Sequence, residues 1–234
     1  MSQSTPTASK QQQSSLSSLT PSFSTLSHHT TGDNQRRHAE IQSIQKIKVE
    51  ENTEAFEFHV KQMKNTERRR RDQGREFINP DKVTYQYAFH ACAKEAVENI
   101  CANGFNRSYS GKNATAYGAG SYFARDASYS TKHLYSPKDN EGCKRMFLCT
   151  IAIGAHTPVR IGYNGREPPV RDEDPLHGVG KRLYDCTTNC HPQDKGNGHP
   201  WRVVDGIPDI IVVWKDSGAI PNYLITFKGD GPFW

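Results

Sequence analysis

Two stretches of the chain carry side chains suited to hold a flat, polar, nucleotide-like ligand. In AFHACAKEAVENICANGFNRS, His90 ends an apolar strand and a helix signal follows at once. In YGAGSYFARDASYS, Tyr122 sits on a short strand beside a Gly-flanked turn, with Ser130 and Tyr135 further on. An imidazole offers nitrogen atoms that donate or accept hydrogen bonds. Two phenol rings, Tyr122 and Tyr135, can sandwich an aromatic system. Gly118 and Gly120 permit a tight turn and a close approach of backbone to ligand. Each feature also has a plainer reading. A lone strand-end histidine is more often structural, and both tyrosines serve equally well as core or surface aromatics.

Other chemistries lack their signatures. The chain has no Walker loop, no HExxH, no GxSxG, no CxxC pair and no paired carboxylates beside an evident site. Catalysis would therefore rest on positioning and electrostatics more than on a strong base. Cys186, Cys190, His191 and His199 cluster near the C-terminal third and invite a zinc reading. Their spacing matches no strong zinc pattern, so free thiols are the expectation and no metal is assigned. Arg68 to Arg71 could form an import signal or phosphate-binding patch, though such runs are usually a solvated helix face.

The elements that must position these residues can be read from pattern. The 234 residues suffice for one domain plus extra segments. Residues 1–40 are rich in Ser, Thr and Gln, with no acidic residue before Asp33, and read as a disordered tail. Residues 41–234 read as the folded domain. Ile47 and Val49 alternate with lysines, a half-buried strand pattern. Asn52 is a candidate cap for a helix with Phe56, Val60 and Met63 on one face and Gly74 at its end. A strand covers Tyr85 to His90, and a helix covers Ala93 to Asn103 with Gly104 as its stop. SYFA, Arg145 to Ile153, IIVVW and YLITF read as further strands. Gly162 to Ile207 reads as one long polar loop. Strands outnumber helices and do not alternate as βαβ units, so the fold class is α+β with antiparallel sheets.

Charge and cysteine usage bound the setting. A formal net charge of +5 fits an anionic ligand or weak nucleic-acid attraction and dictates neither. No run approaches the ~18 apolar residues of a membrane span, so no membrane partner is expected. No secretory leader stands at the N-terminus, and arginine is missing before Arg36. The six cysteines therefore read as reduced thiols of a nuclear or cytoplasmic protein.

From about Ile44 to Phe227 the chain resembles the catalytic domain of the poly(ADP-ribose) polymerase family. It is most similar to the mono-ADP-ribosylating branch found at the end of the macrodomain-containing members. The resemblance rests on FHACAKEAVENICANGFNRS, on GKNATAYGAGSYFARDASYS and on the closing PNYLITF. It implies an ADP-ribosyltransferase fold, with two antiparallel sheets forming an NAD cleft and helices on the flanks. It also implies NAD as substrate, transfer of ADP-ribose, and release of nicotinamide. The acceptor would be a protein carrying Asp, Glu or another nucleophilic side chain, with nucleic acid as an alternative.

The resemblance assigns roles to residues. His90 would bond the ribose hydroxyl beside nicotinamide. Tyr122 and Tyr135 would border its ring, with Tyr117 among the cofactor contacts. Ser130 and the backbone of Ala91 would bind the carboxamide, and Cys92 would lie close enough to contact a ribose. The third catalytic position, a glutamate in polymer-forming members, falls on Ile210, which has neither acceptor nor base. This implies single transfer. Asp209 is adjacent, but neighbouring strand residues point to opposite faces, so it is not expected to substitute. The family's His-Gly-Thr/Ser is His-Ala-Cys here. The methyl of Ala91 is expected to narrow the cleft or to occupy a backbone angle suited to glycine. Ala119 stands where the family usually has lysine. A rival reading follows from these departures: a module that binds NAD or ADP-ribose as a scaffold without turnover. A third is a basic RNA-binding protein using the arginine run. The residues before Tyr85 do not accommodate the regulatory helical domain of the DNA-damage-responsive members.

Overall fold

Aromatic and β-branched residues concentrate in KRMFLCTIA and AIPNYLITFK, and these two segments pair along nearly their whole length inside a sheet. The computed structural model describes residues 38–109, 115–174, 180–195, 203–204 and 206–230. In chain order the described elements are β1 (Glu40–Lys46), α1 (Glu50–Asp72), β2 (Thr84–Cys92), α2 (Lys94–Asn103), β3 (Ser121–Ala124), α3 (Ala127–Ser130) and β4 (Lys144–Ala152). Then come β5 (His156–Pro158), β6 (Val170–Asp174), β7 (Gly180–Leu183), β8 (Cys186–Thr188), β9 (Val203–Val204), β10 (Ile207–Pro208), β11 (Ile210–Val213) and β12 (Ala219–Lys228). Among the described residues no helix is long and apolar enough to cross a membrane.

Eight of the strands form one sheet in the order β1-β12-β4-β2-β3-β11-β8-β5. Its two halves touch through a single residue pair of β2 and β3, Phe89 with Ala124. The expected two antiparallel sheets are thus two halves of one sheet that part beyond this pair. One pairing, β5 with β8, is parallel rather than antiparallel. On one face Ala88, Cys92, Phe123, Phe147, Ile151 and Ile211 form the main core, with Ala96, Val97 and Ile100 of α2 packed over it. Full burial of Phe123 and Phe147 contributes about 1.5–3 kcal/mol each.

Several expected boundaries move. Val49 is the residue that starts α1, not part of a strand, and Ile47 lies just past β1. Asn52 is inside the helix, with its side chain against Gly104. Phe56 and Met63 do face inward, with Val60 alongside, toward Val83 and Ala152. The arginine run is not wholly solvated: Arg70 is buried and its Nη1 bonds Asp172 Oδ2 at 2.6 Å. One turn earlier Glu67 takes a two-pronged bond from Arg171 at 2.6 and 3.2 Å, and both are buried. These pairs tie α1 to β6.

The segment Gly162 to Ile207 is not a plain loop. It holds the β6–β7 hairpin, β8 inside the main sheet, and the short β9–β10 pair. Alternation is weak there because β6 is charged and β8 is only three residues long. Ala39 is buried and β1 begins at Glu40, while the tail reading for residues 1–37 lies outside the described residues.

Candidate active site

Where β2 and β3 stop pairing, His90 meets the backbone of Tyr122. β2 continues past Phe89 through His90, Ala91 and Cys92, laddered to β4 on its other edge. β3 begins at Ser121 and pairs fully with β11, Tyr122 opposite Val212 and Ala124 opposite Ile210. The His90 Nδ1 lies 2.8 Å from the Tyr122 carbonyl oxygen. Phe105 and Phe123 pack against the His90 ring with centroids 4.9 and 5.5 Å away. A carbonyl only accepts, so Nδ1 carries the proton and donates. Burial lowers the His90 pKa from its ordinary value, opposed in part by that carbonyl. The ring is therefore neutral near pH 7, and Nε2 is left as an acceptor.

Tyr122 is locked by the turn before it. Its hydroxyl accepts from the Tyr117 N–H at 2.8 Å and donates to the Gly118 carbonyl at 2.9 Å. Desolvation pushes its pKa up to about 12, so the ring stays neutral and presents a face rather than a charge. The turn itself needs glycine. Gly118 has φ +113°, and a β-carbon there would come within 2.4 Å of Trp214. A β-carbon on Gly120 would fall 2.6 Å from the Val213 carbonyl oxygen. The close approach these glycines allow is therefore to β11 and the residue after it. Trp214 Nε1 donates to Thr187 Oγ1, which donates to the Tyr117 carbonyl, at 3.0 and 2.8 Å. Tyr117 is buried, and desolvation followed by the nearby Asp194 charge pushes its pKa up to about 12.

The segment after β3 is fastened at both ends. Asp126 caps α3 by accepting from the Ser128 N–H at 2.9 Å. Ser130, at the end of α3, is 3% exposed. The fully buried Lys144 ammonium donates to the Thr131 carbonyl and to Asp230 Oδ1, the latter at 2.7 Å. Ser136 exchanges two bonds with the Arg145 backbone at 2.8 and 2.9 Å. Tyr135 is held between these anchors.

The ring partner of Tyr135 is Tyr129. The two stack with centroids 5.0 Å apart and planes 22° from parallel, and their hydroxyls are 2.8 Å apart. Tyr129 was not singled out from the sequence, because a tyrosine in ASYS carries no signal of its own. Only its proximity to Tyr135 in space marks it. Desolvation is the main cause that raises the Tyr129 pKa above its ordinary value, with the bond to Tyr135 next.

Ile210 is 2% exposed in an apolar cluster with Val159, Val212 and Trp214, against which Tyr122 and Tyr129 also pack. An aliphatic wall thus stands beside the tyrosines. Asp209 is occupied elsewhere, bonding Arg125 Nη2 at 2.5 Å. The packing bears on Cys92 and on the backbone angle of Ala91. Cys92 projects into the main core, where desolvation pushes its pKa up to about 12, so its thiol is removed from the ligand contacts. Ala91 lies in regular strand opposite Met146, and Cys190 is the one non-glycine described residue with positive φ. The Ala91 backbone angle therefore needs no glycine. Ala119 packs beside the Ile210 cluster. Of the zinc candidates, Cys186 is buried with Sγ toward the Ala152 carbonyl, and His199 lies outside the described residues. Among the described residues the cysteines form no disulfide.

Comparison with known proteins bears on the family. A family model described as the poly(ADP-ribose) polymerase catalytic domain matches residues 22–229. The mono-ADP-ribosyltransferase PARP10 of Mus musculus is 37% identical over 144 residues, 61% of this chain and 13% of that protein. PARP14 of Homo sapiens, also named a protein mono-ADP-ribosyltransferase, is 34% identical over 151 residues, 64% of this chain and 7% of its own length. PARP11 of Mus musculus is 26% identical over 209 residues, 80% of this chain and 52% of its own. The chain thus spans only a small part of the first two relatives and about half of the third. With the match extending over most of its length, the chain belongs to the poly(ADP-ribose) polymerase catalytic domain family.

Proposed function

We propose that this domain transfers one ADP-ribose unit from NAD to a protein side chain and releases nicotinamide. The observation that carries the reading is the opening between β2 and β3, with a neutral imidazole at its edge and four tyrosines in mutual electrostatic range beyond it. In this reading His90 Nε2 accepts a hydrogen bond from a ribose hydroxyl. The Ala91 backbone and Ser130 hold the carboxamide, Tyr117 and Tyr122 border the ring, and Tyr135 stacks on it. The bond between ribose C1′ and the pyridine nitrogen breaks, and its electron pair leaves with neutral nicotinamide. Positive character develops on the sugar, as in other glycosyl transfers. An acceptor carboxylate oxygen then bonds C1′, and no enzyme base is needed to deprotonate it.

Single transfer is supported by Ile210 and Asp209 together. The side chain at the wall is aliphatic and buried, and the nearest carboxylate in sequence is committed to Arg125. Neither side chain is placed to draw a proton from a ribose hydroxyl for chain growth. The relatives named mono-ADP-ribosyltransferases support the same outcome. The six reduced thiols favour the nucleus or cytoplasm as its location. Exposed Arg68, Arg69 and Arg71 leave a basic face that would suit a nucleic-acid acceptor. The test is NAD labelled in the nicotinamide ring, incubated with the domain and an acidic-residue-rich protein acceptor. Free labelled nicotinamide that accumulates with time is expected; bound but intact NAD would replace this reading with the scaffold.

A further inference from the structure

Tyr135 has a fixed backbone and a ring that two torsions could still turn. Lys144 holds the chain at Thr131 and the Arg145 backbone holds it at Ser136. Neither anchor involves the Tyr135 side chain. Tyr129 does, through a near-parallel stack and a hydroxyl–hydroxyl bond of 2.8 Å. The stack sets the tilt of the ring, and the hydrogen bond sets its rotation within that plane. Tyr129 is itself braced: Lys132 Nζ lies 4.4 Å from its ring centroid, and its ring packs against the cluster of Ile210 and Val212.

We infer that Tyr129 is a positioning residue for nicotinamide, acting through Tyr135 by presetting the ring on which the nicotinamide lies. The inference deepens the NAD reading above and rests on it. Presetting a contact ring removes the ordering cost that binding would otherwise carry. The benefit falls on ground-state binding, so it should show in KM for NAD and leave kcat nearly unchanged.

Steady-state nicotinamide release tests this with Tyr129→Phe, which keeps the stack, and Tyr129→Leu, which removes it. Tyr129→Phe should raise KM for NAD about threefold to tenfold, as expected for a lost neutral hydrogen bond. Tyr129→Leu should raise it further. In a Tyr135→Phe background, Tyr129→Phe should add nothing, because its partner hydroxyl is already gone. Unchanged KM in both single variants overturns the inference while leaving the transferase reading intact, as does a fully additive double variant. A parent domain that releases no nicotinamide overturns the transferase reading, and this inference with it.

Discussion

The Nδ1–H of His90 donates to the backbone carbonyl of Tyr122 at 2.8 Å, across the place where β2 and β3 stop pairing. An imidazole thus stands where a ladder bond would otherwise be. The bond ties β2 to β3 where their pairing ends and fixes Nδ1 as the protonated ring nitrogen. Fold and site are joined at this one contact.

Replacing His90 with Ala should leave the Tyr122 carbonyl unsatisfied and remove the acceptor for the ribose. A loss of about ten- to a hundredfold in kcat/KM is expected, in line with ~1–3 kcal/mol for a hydrogen bond of this kind. Automodification with labelled NAD would read it. Undiminished labelling would take His90 out of the site.

The pH dependence follows from the lowered pKa. Nε2 accepts only while the ring is neutral, and burial keeps it neutral to below the ordinary value of 6.5. KM for NAD should hold steady from pH 8 through 6.5 and rise only at lower pH. His59 and His156 are also lowered, chiefly by burial. Their unfolded forms take up protons near pH 6.5 while the folded ones do not. The unfolded state then binds more protons, so stability is complete above that pH and falls as pH drops through it. Denaturant titrations at pH 7.5 and 5.5 would measure the loss; equal midpoints would contradict it.

Installing the acid of polymer-forming relatives should not create a polymerase. Ile210→Glu would put a carboxylate at a 2% exposed position among Val159, Val212 and Trp214. An unpaired buried acid should cost at least about 2 kcal/mol, roughly 4–8 °C in melting temperature for a domain of this size. Thermal melts and gels of the reaction product would report both effects. A parental melting temperature together with long polymers would refute this reading of the wall.

The parts legible in the sequence were those with strong period or strong punctuation. The strand into His90, the helix closed by Gly104 (φ +72°), SYFA and the last two strands all lie close to where their patterns put them. β1 was displaced because EIQSIQK is almost wholly exposed and is held by backbone pairing to β12, which leaves no hydrophobic alternation to read. Arg70 looked like one of four equivalent charges until Asp172, far along the chain, came beside it. Cys92 shares strand parity with the core residue Ala88 and with His90 between them, so parity alone did not separate core from site. Tyr129 had no sequence mark because its meaning lies in its stacking partner.

The most direct measurement is incubation of the domain and an acceptor with NAD labelled in the adenylate moiety, followed by denaturing electrophoresis. One discrete labelled band, heavier than the acceptor by a single ADP-ribose, is the expected result. A high-mass ladder, or no covalent label alongside tight NAD binding, would contradict single transfer from this cleft.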